Sequence, residues 1–358
     1  MHTTQILCQL FIDDNDIPKY FFGTRFDAPL VIMRNYPHIK IAGIIDEMTQ
    51  DKDYNGIPYL HSLDQIPAEH KKTAIVCNTV LGRYKSVKKR LDKLELKNFW
   101  YCSLSNLTKN DNLETPFWNG FKSHYQHHKT QYQKMIESFA DDLSRDTLLR
   151  LINFRLTGNE EYMSAFTDNE PQQYWEDFLG LQSDGIFVDL GCYDGETSLE
   201  YIKQVGKYKR IYIFEPDKQK MEVSKQNLKS YDNITYCPVG AWNKKETLHF
   251  YEDGRCSTIS QDGETIVEVD AIDNYIKEAN GVPMYIKMDI EGAEKQAIEG
   301  ARNTIETLHP TLAISIYHRG GDYLELYNSV MSIRHDYKVY VRHYLSGIME
   351  TIMYFVPC

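Results

Sequence analysis

The sequence predicts an α/β protein made of two Rossmann-like domains with a helical segment between them. Three observations carry that reading. Residues Ile186 to Val205 spell a short apolar strand, a glycine turn and a helix. Ile211-Tyr-Ile-Phe-Glu215 is a second apolar strand that ends in an acid 26 residues after Asp189, a spacing that suits a βαβ unit. About the first 105 residues alternate short apolar runs with helical ones, the pattern of a smaller parallel layer. The expected boundaries are a small α/β domain over residues 1–116, a helical linker or cap over 117–180, and a larger α/β domain over 181–358.

A chain of 358 residues with 42% hydrophobic content can fill two sizeable cores. Its net charge of −11 argues against a general nucleic-acid binder. The seven cysteines are scattered, odd in number and contain no C-x-x-C, so neither a zinc framework nor a disulfide scaffold is expected. Asp13, Asp14 and Asp16 stand near the start, where a signal peptide would need an apolar run. No stretch approaches the ~20 apolar residues of a membrane span. A reducing cytoplasm is the expected home.

Taken in order, Lys19 to Gly23 reads as the first strand, followed by an apolar helix over residues 26–33. Lys40 to Asp46 is a strand ending in an acid, Gly56 to Tyr59 a turn and short strand, and Thr73 to Cys77 a strand. A basic amphipathic helix over Tyr84 to Leu96 and a strand over Phe99 to Cys102 close the set. This domain's first turn, Gly23-Thr24-Arg25, has one glycine, which fits a scaffold for packing or dimerisation better than a second nucleotide pocket. Residues 117–179 are polar and helical. His124, His127 and His128 lie near their start without a cysteine or carboxylate at helical ligand spacing, and Ser144 is placed to cap an amphipathic helix. After Glu215 come a helix from Lys218, strand Ile234 to Cys237, the small-residue turn Gly240-Ala241-Trp242, and two inserted antiparallel strands near 248–251 and 265–269. Met284 to Asp289 is a core strand, Ile290 opens a helix, and Leu312 to Tyr317 is a further strand ending at His318. Residues 337–341 and 351–356 read as a hairpin on the sheet edge.

The loop after Val188 carries the chemical signal. Gly191 and Gly195 let the backbone turn and approach a ligand closely. The dinucleotide fingerprint G-x-G-x-x-G is absent, and Asp189, Asp194 and Glu196 make the loop acidic. A pyrophosphate would be repelled there and a cation attracted, so S-adenosylmethionine (SAM), with its ammonium and sulfonium, fits better than NAD. Glu215, at the end of the next strand, can accept both ribose hydroxyls. Asp189, Glu215, Asp289 and His318 each stand at the carboxyl end of a strand, where open α/β sheets bind ligands.

These residues resemble the FkbM-type family of SAM-dependent methyltransferases. The likeness rests on F-V-D-L-G-C-Y-D-G-E-T (187–197), F-E-P-D (214–217), V-G-A-W (239–242), K-M-D-I-E-G-A-E (287–294), S-I-Y-H (315–318) and R-H-Y (342–344). It covers roughly the last 200 residues and the helix near 151–162. The resemblance implies a class I SAM-methyltransferase sheet and O-methylation of a hydroxyl on a sugar, glycan or secondary metabolite. It implies that the backbone around Gly191 and Gly195 holds the methionine end of the cofactor, with Asp189 or Asp194 near its ammonium, and that Tyr193 and Thr197 also belong to the cofactor site. Glu215 would hold the ribose, and Pro216, Asp217, Gly240 and Ala241 would border the adenosine. Asp289, at the junction, and Glu291 would face the acceptor with His318 beside them.

A hydroxyl is a poor nucleophile until its proton leaves, so a general base is expected. His318 has a suitable intrinsic pKa, and Asp289 could act directly or orient it. A divalent cation at Asp289, Glu291 or Glu294 is a further route, though no metal is expected. The expected partners are a small-molecule or saccharide acceptor and a second copy of the chain through the first domain, with no nucleic acid and no membrane span. An NAD- or nucleotide-sugar-dependent enzyme and a non-catalytic SAM- or metabolite-binding module remain the alternatives.

Overall fold

Short apolar runs separated by turn residues become two parallel sheets in the computed structural model, which describes residues 3–108, 116–253, 256–259, 265–277 and 281–358. The chain divides into two compact units. The first comprises Met1–Gln126, Asp146–Glu170 and His343–Glu350; the second comprises His127–Arg145, Pro171–Arg342 and Thr351–Cys358. Residues 117–180 are thus shared between the units, and a short piece near the end belongs to the first.

The first unit contains β1 (Lys19–Phe22), β2 (Gly43–Ile45), β3 (Asp53–Tyr54), β4 (Ile57–Leu60), β5 (Ile75–Asn78) and β6 (Lys97–Trp100), in the order β3-β4-β2-β1-β5-β6. All pairings are parallel except β3 with β4. β1 and β5 are buried along their whole length, as parallel strands covered on both faces must be. Phe11, Phe21, Ile32, Ile44 and Phe99 pack one face of this sheet, and Tyr20, Ile45, Val76 and Leu91 pack the other.

The second unit contains β7 (Gly185–Leu190), β8 (Tyr208–Phe214), β9 (Ile234–Cys237), β10 (Gly240–Trp242), β11 (Glu246–Asp253), β12 (Cys256–Ile259), β13 (Thr265–Ala271), β14 (Met284–Met288), β15 (Thr311–Ser315), β16 (Tyr337–His343) and β17 (Thr351–Pro357). Its main sheet runs β16-β17-β15-β14-β7-β8-β9; it is parallel from β15 through β9, and β17 joins β15 antiparallel. The strand order reverses between β7 and β14, so their carboxyl ends flank a crevice. Strands β10 to β13 form a separate four-stranded sheet in the order β10-β13-β11-β12.

Several local expectations shift. The small-residue turn expected at Gly240-Ala241-Trp242 is instead the short strand β10, held by parallel pairing with β13. The helix expected to be capped by Ser144 starts at Asp142, because Asp141 Oδ1 accepts from the Ser144 amide at 2.8 Å and so takes the capping position. The helix expected from Ile290 starts at Glu294, because Glu291 and Gly292 adopt φ of +55° and +91°, outside the helical region. The inserted β-region has a further strand, β12, that the sequence reading did not anticipate. Among the described residues, no helix is long and apolar enough to cross a membrane.

Candidate functional site

Beyond Leu190 the chain turns through Gly191 (φ +78°), Tyr193 (φ +55°) and Gly195 (φ +86°). A Cβ on Gly191 would collide with the Asp289 carbonyl, so only glycine lets the ends of β7 and β14 lie this close. Gly195 packs against Leu228 and Ser224 and stands at the N-terminus of helix Glu196–Val205, whose first turn contains Thr197. Asp194 is partly exposed, and its Oδ1 accepts from the Glu196 amide at 3.1 Å.

Under the loop lies a buried ion pair. Lys287, aligned with Asp189 across β14 and β7, places Nζ 3.3 Å from the Asp189 carboxylate. The same ammonium donates to the Gly191 carbonyl at 2.7 Å, while Ser198 donates to Asp189 Oδ2 at 2.8 Å. Burial pushes the lysine pKa down; Asp189 and Asp289 outweigh it and hold the ammonium above its ordinary value. Asp189 is therefore turned inward as a brace for the loop, and Asp194 is the acid of the two that reaches solvent.

Glu215 follows β8. Its Oε2 accepts from the Tyr193 amide at 3.2 Å and its Oε1 from the Asp217 amide at 3.0 Å, which fixes the carboxylate beside the loop. Burial pushes its carboxyl up. Asp217 caps helix Lys218–Asn227 by accepting from the Gln219 and Lys220 amides. A Cβ built on Gly240 would stand 3.1 Å from the Val269 side chain and 3.7 Å from the Pro216 ring, so the start of β10, with Ala241 next, borders this edge. Gly191, Tyr193, Gly195, Glu215, Pro216, Asp217 and Gly240 thus form one continuous border.

The third part is a cluster of acids around His318, beyond β14 and β15. His318 Nδ1 is 3.0 Å from Glu294 Oε1; its Nε2 is 3.5 Å from Asp289 Oδ1 and 3.7 Å from Glu291 Oε2. Burial alone would push the imidazole down, but Glu294, Asp289 and Glu291 hold it at about 10. Glu291 moves the other way: burial, Asp289 and Glu294 raise its carboxyl to about 7, against the pull of His318 and Lys220. Asp289 Oδ2 accepts from the Tyr174 hydroxyl at 3.1 Å.

Tyr174 was not anticipated. Its backbone is left-handed (φ +72°), its amide donates to the Tyr354 hydroxyl at 3.1 Å, and its carbonyl accepts from Tyr285 at 2.9 Å. Its ring lies 5.7 Å from Lys287 Nζ. One tyrosine therefore touches both the loop's brace and the acidic rim. Lys287 was also missed, although a lysine inside the apolar run M-Y-I-K-M is itself a signal, because an unpaired buried ammonium is too costly to keep.

Among the described residues, Asp289, Glu294 and His318 bring one donor atom each within 4.8 Å, a spacing a cation could bridge. The two carboxylates face different ring nitrogens, Asp289 at Nε2 and Glu294 at Nδ1. His124, His127 and His128 lie along helix Phe121–Glu137, outside that group. A cavity of about 430 Å³ opens at the opposite, amino-terminal ends of β7, β14 and β15, lined by Leu179, Gly185, Pro283, Leu308 and Val356 among others; none of the rim acids borders it.

Residues 189–339 match the family model of the methyltransferase FkbM domain. The fold is similar to that of methyltransferase FkbM from Methylobacillus flagellatus KT, a crystal structure 24% identical that covers 99% of this chain and 93% of its own, with a TM-score of 0.78. An rRNA methylase from Streptococcus thermophilus is 18% identical over 51% of this chain and 92% of its own, with a TM-score of 0.33. The fibrillarin of Aeropyrum pernix, solved with natively bound SAM, is 16% identical over 50% of this chain and 71% of its own, with a TM-score of 0.34. No curated protein matches the chain.

Proposed function

We propose, from the match of residues 189–339 to the FkbM methyltransferase domain, that this protein transfers a methyl group from SAM to a hydroxyl on a sugar, glycan or secondary metabolite. The observation that carries the reading is the shared rim: the glycine loop after β7, Glu215 after β8, Asp289 after β14 and His318 after β15. The cofactor fits this border on chemical grounds. The close approach at Gly191 leaves room for backbone but not for a side chain. The partly exposed acid Asp194 suits an ammonium, and Glu215, pinned by two amides, presents a fixed carboxylate to two ribose hydroxyls. Pro216, Asp217, Gly240 and Ala241 border the adenosine side, and Thr197 lies in the first turn behind the loop.

Methyl transfer asks the protein mainly to bring the acceptor oxygen in line with the sulfonium carbon. In this reading Asp289 and Glu291 orient that hydroxyl beside the loop. The first unit is assigned a packing or self-association role, because its own first turn carries no comparable set of acids.

Calorimetry of the full-length protein with SAM, S-adenosylhomocysteine (SAH), NADH and a UDP-sugar tests the reading. SAM and SAH should bind and the other two should not. Binding of NADH or the UDP-sugar alone would favour a dehydrogenase or sugar-nucleotide enzyme instead. SAM binding without any methyl transfer across hydroxylated acceptors would favour a non-catalytic binding module.

A further inference from the structure

We propose that Glu291 takes the acceptor's hydroxyl proton and that His318 is the fixed cation behind it, not the base. This rests on the methyl-transfer reading and assigns the proton chemistry of the same site. The argument begins with counting protons on one ring. Nδ1 of His318 faces the Glu294 carboxylate, and Nε2 faces both Asp289 and Glu291. A neutral imidazole would aim a lone pair at a carboxylate on one side or the other. Protonation of both nitrogens removes that clash, and it also leaves no lone pair with which to accept a further proton.

The three acids around the ring differ in what holds them. Glu294 has a side chain only 1% exposed, and its Oε1 also accepts from the Ile290 and Gly292 amides, so it shapes the turn. Asp289 is 24% exposed and is bonded by Tyr174, with Tyr317 at 3.5 Å from its other oxygen. Glu291 is 42% exposed and sits on a left-handed backbone (φ +55°), a conformation that costs a non-glycine residue energy and recurs where function requires it. Gly292 follows at φ +91°, and a Cβ there would stand 2.8 Å from Arg319 Nε. The turn therefore spends strain on presenting one carboxylate at the rim while its neighbours stay anchored.

The groups acting on Glu291 are His318 after β15, Asp289 after β14, Glu294 on the following helix and Lys220 on helix Lys218–Asn227. Arg319 stands beside the next residue of the turn. Although 42% of its side chain reaches solvent, the partial loss of water at the turn, with Asp289 and Glu294 beside it, raises the Glu291 carboxyl to about 7, and the exposed part leaves it a route to pass a proton to water. In the step itself, an oxygen lone pair of the acceptor forms the O–CH₃ bond. The C–S electron pair returns to sulfur, leaving the neutral thioether of SAH. The hydroxyl proton moves to Glu291, which later gives it to water.

Charge is conserved within the site: a sulfonium and a carboxylate become a thioether and a carboxylic acid. It follows that ionised Glu291 favours SAM over SAH, and protonated Glu291 does not. The experiment measures Kd for SAM and for SAH by calorimetry on the full-length protein between pH 5.5 and 8.5, in the wild type and in Glu291→Gln. The wild-type preference for SAM should grow about threefold to tenfold as pH rises through 7, the scale of one charge contact near a protein surface. Glu291→Gln should keep its affinity for SAH and lose the pH trend. A pH-independent SAM:SAH ratio in the wild type overturns the proposal without any variant, and so does an unchanged trend in Glu291→Gln. Failure of both ligands to bind the folded protein at every pH instead removes the SAM reading, and this proposal with it.

Discussion

In the first unit the chain leaves β1 through Gly23 at φ +81°, and in the second it leaves β7 through Gly191 at φ +78°. Both turns follow the central strand of a parallel sheet, on the side where α/β folds place ligands. What surrounds them differs. In the first unit a Cβ at position 23 would press on Thr79 Oγ1 at 2.9 Å, and that hydroxyl already donates to the Phe22 carbonyl. Asn78 is spent on the Tyr84 carbonyl. Beyond β5, Ile348 donates its amide to the Leu81 carbonyl at 2.9 Å, and a side chain at Gly347 would collide with the Leu81 and Gly82 carbonyls. The chain's own backbone closes over the turn that follows β5. In the second unit the rim carries Asp194, Glu215, Asp289, Glu291 and His318. Topology alone therefore supplies a place for a ligand, and the side chains and loops at the strand ends decide whether one is wanted.

Two histidines sharpen the contrast. His318 is held charged among acids at about 10. His343, in the first unit, is pushed down to about 4 by burial, helped by Arg155 and Lys85 and opposed by its contact with the Gly347 carbonyl at 2.7 Å.

The largest effect should come from exchanging the two glycines for alanine. Gly191→Ala should abolish SAM binding, because the new methyl group meets the Asp289 carbonyl. Gly23→Ala should leave the SAM Kd within about twofold, as expected for a site that shares no partners with the loop. Equal losses in the two variants would break the contrast. Next, Glu215→Ala should weaken SAM by about 1.5–3 kcal/mol, the range for hydrogen bonds to a charged group, and unchanged calorimetric affinity would remove Glu215 from the border. Gly347→Ala should lower the unfolding free energy by about 1–3 kcal/mol through overpacking while SAM affinity in the folded protein persists; urea melts beside titrations separate the two.

The smallest effect concerns pH. A histidine with a depressed pKa contributes stability above about 6.5, its unfolded value, and loses it as pH falls toward 4. For His343, which is partly exposed by surface area, the loss should be about 1 kcal/mol. For His318 the sign is opposite: its contribution is complete below about 6.5 and fades as pH rises through 10. Histidine ¹⁵N spectra at pH 7.5 should show a doubly protonated ring for His318 and a neutral tautomer for His343. Two neutral rings would end the contrast.

Much of this architecture was legible in the sequence because buried parallel strands leave unbroken apolar runs, such as Ile211 to Phe214 and Leu312 to Ile316. Gly191, Glu215, Asp289 and His318 were legible because each stands where such a run stops. Tyr174 was not, since it lies in an irregular stretch and reaches Asp289 only through three-dimensional folding across 115 positions. The inward turn of Asp189 was hidden for a related reason: strand period alone does not say which of two neighbouring acids a buried lysine will claim. The helix start at Glu294 was misplaced because D-I-E-G-A-E reads as helical composition, whereas the positive φ of Glu291 is imposed by the turn it makes around Ile290 and Gly292.

The piece His343–Glu350 has a consequence in time. It belongs to the first unit, yet it is made after almost everything else. A chain that emerges from the ribosome at about 5–20 residues per second presents its first 126 residues long before Ile348 exists to meet Leu81. The turn after β5 must wait without this contact while the whole of the second unit's central sequence is synthesised. Such distant pairings also slow folding in general. The unit whose synthesis starts first is thus completed only shortly before the second, and an early stop near residue 340 would cost the amino-terminal unit Ile348 as surely as it would cost the carboxyl-terminal sheet β17.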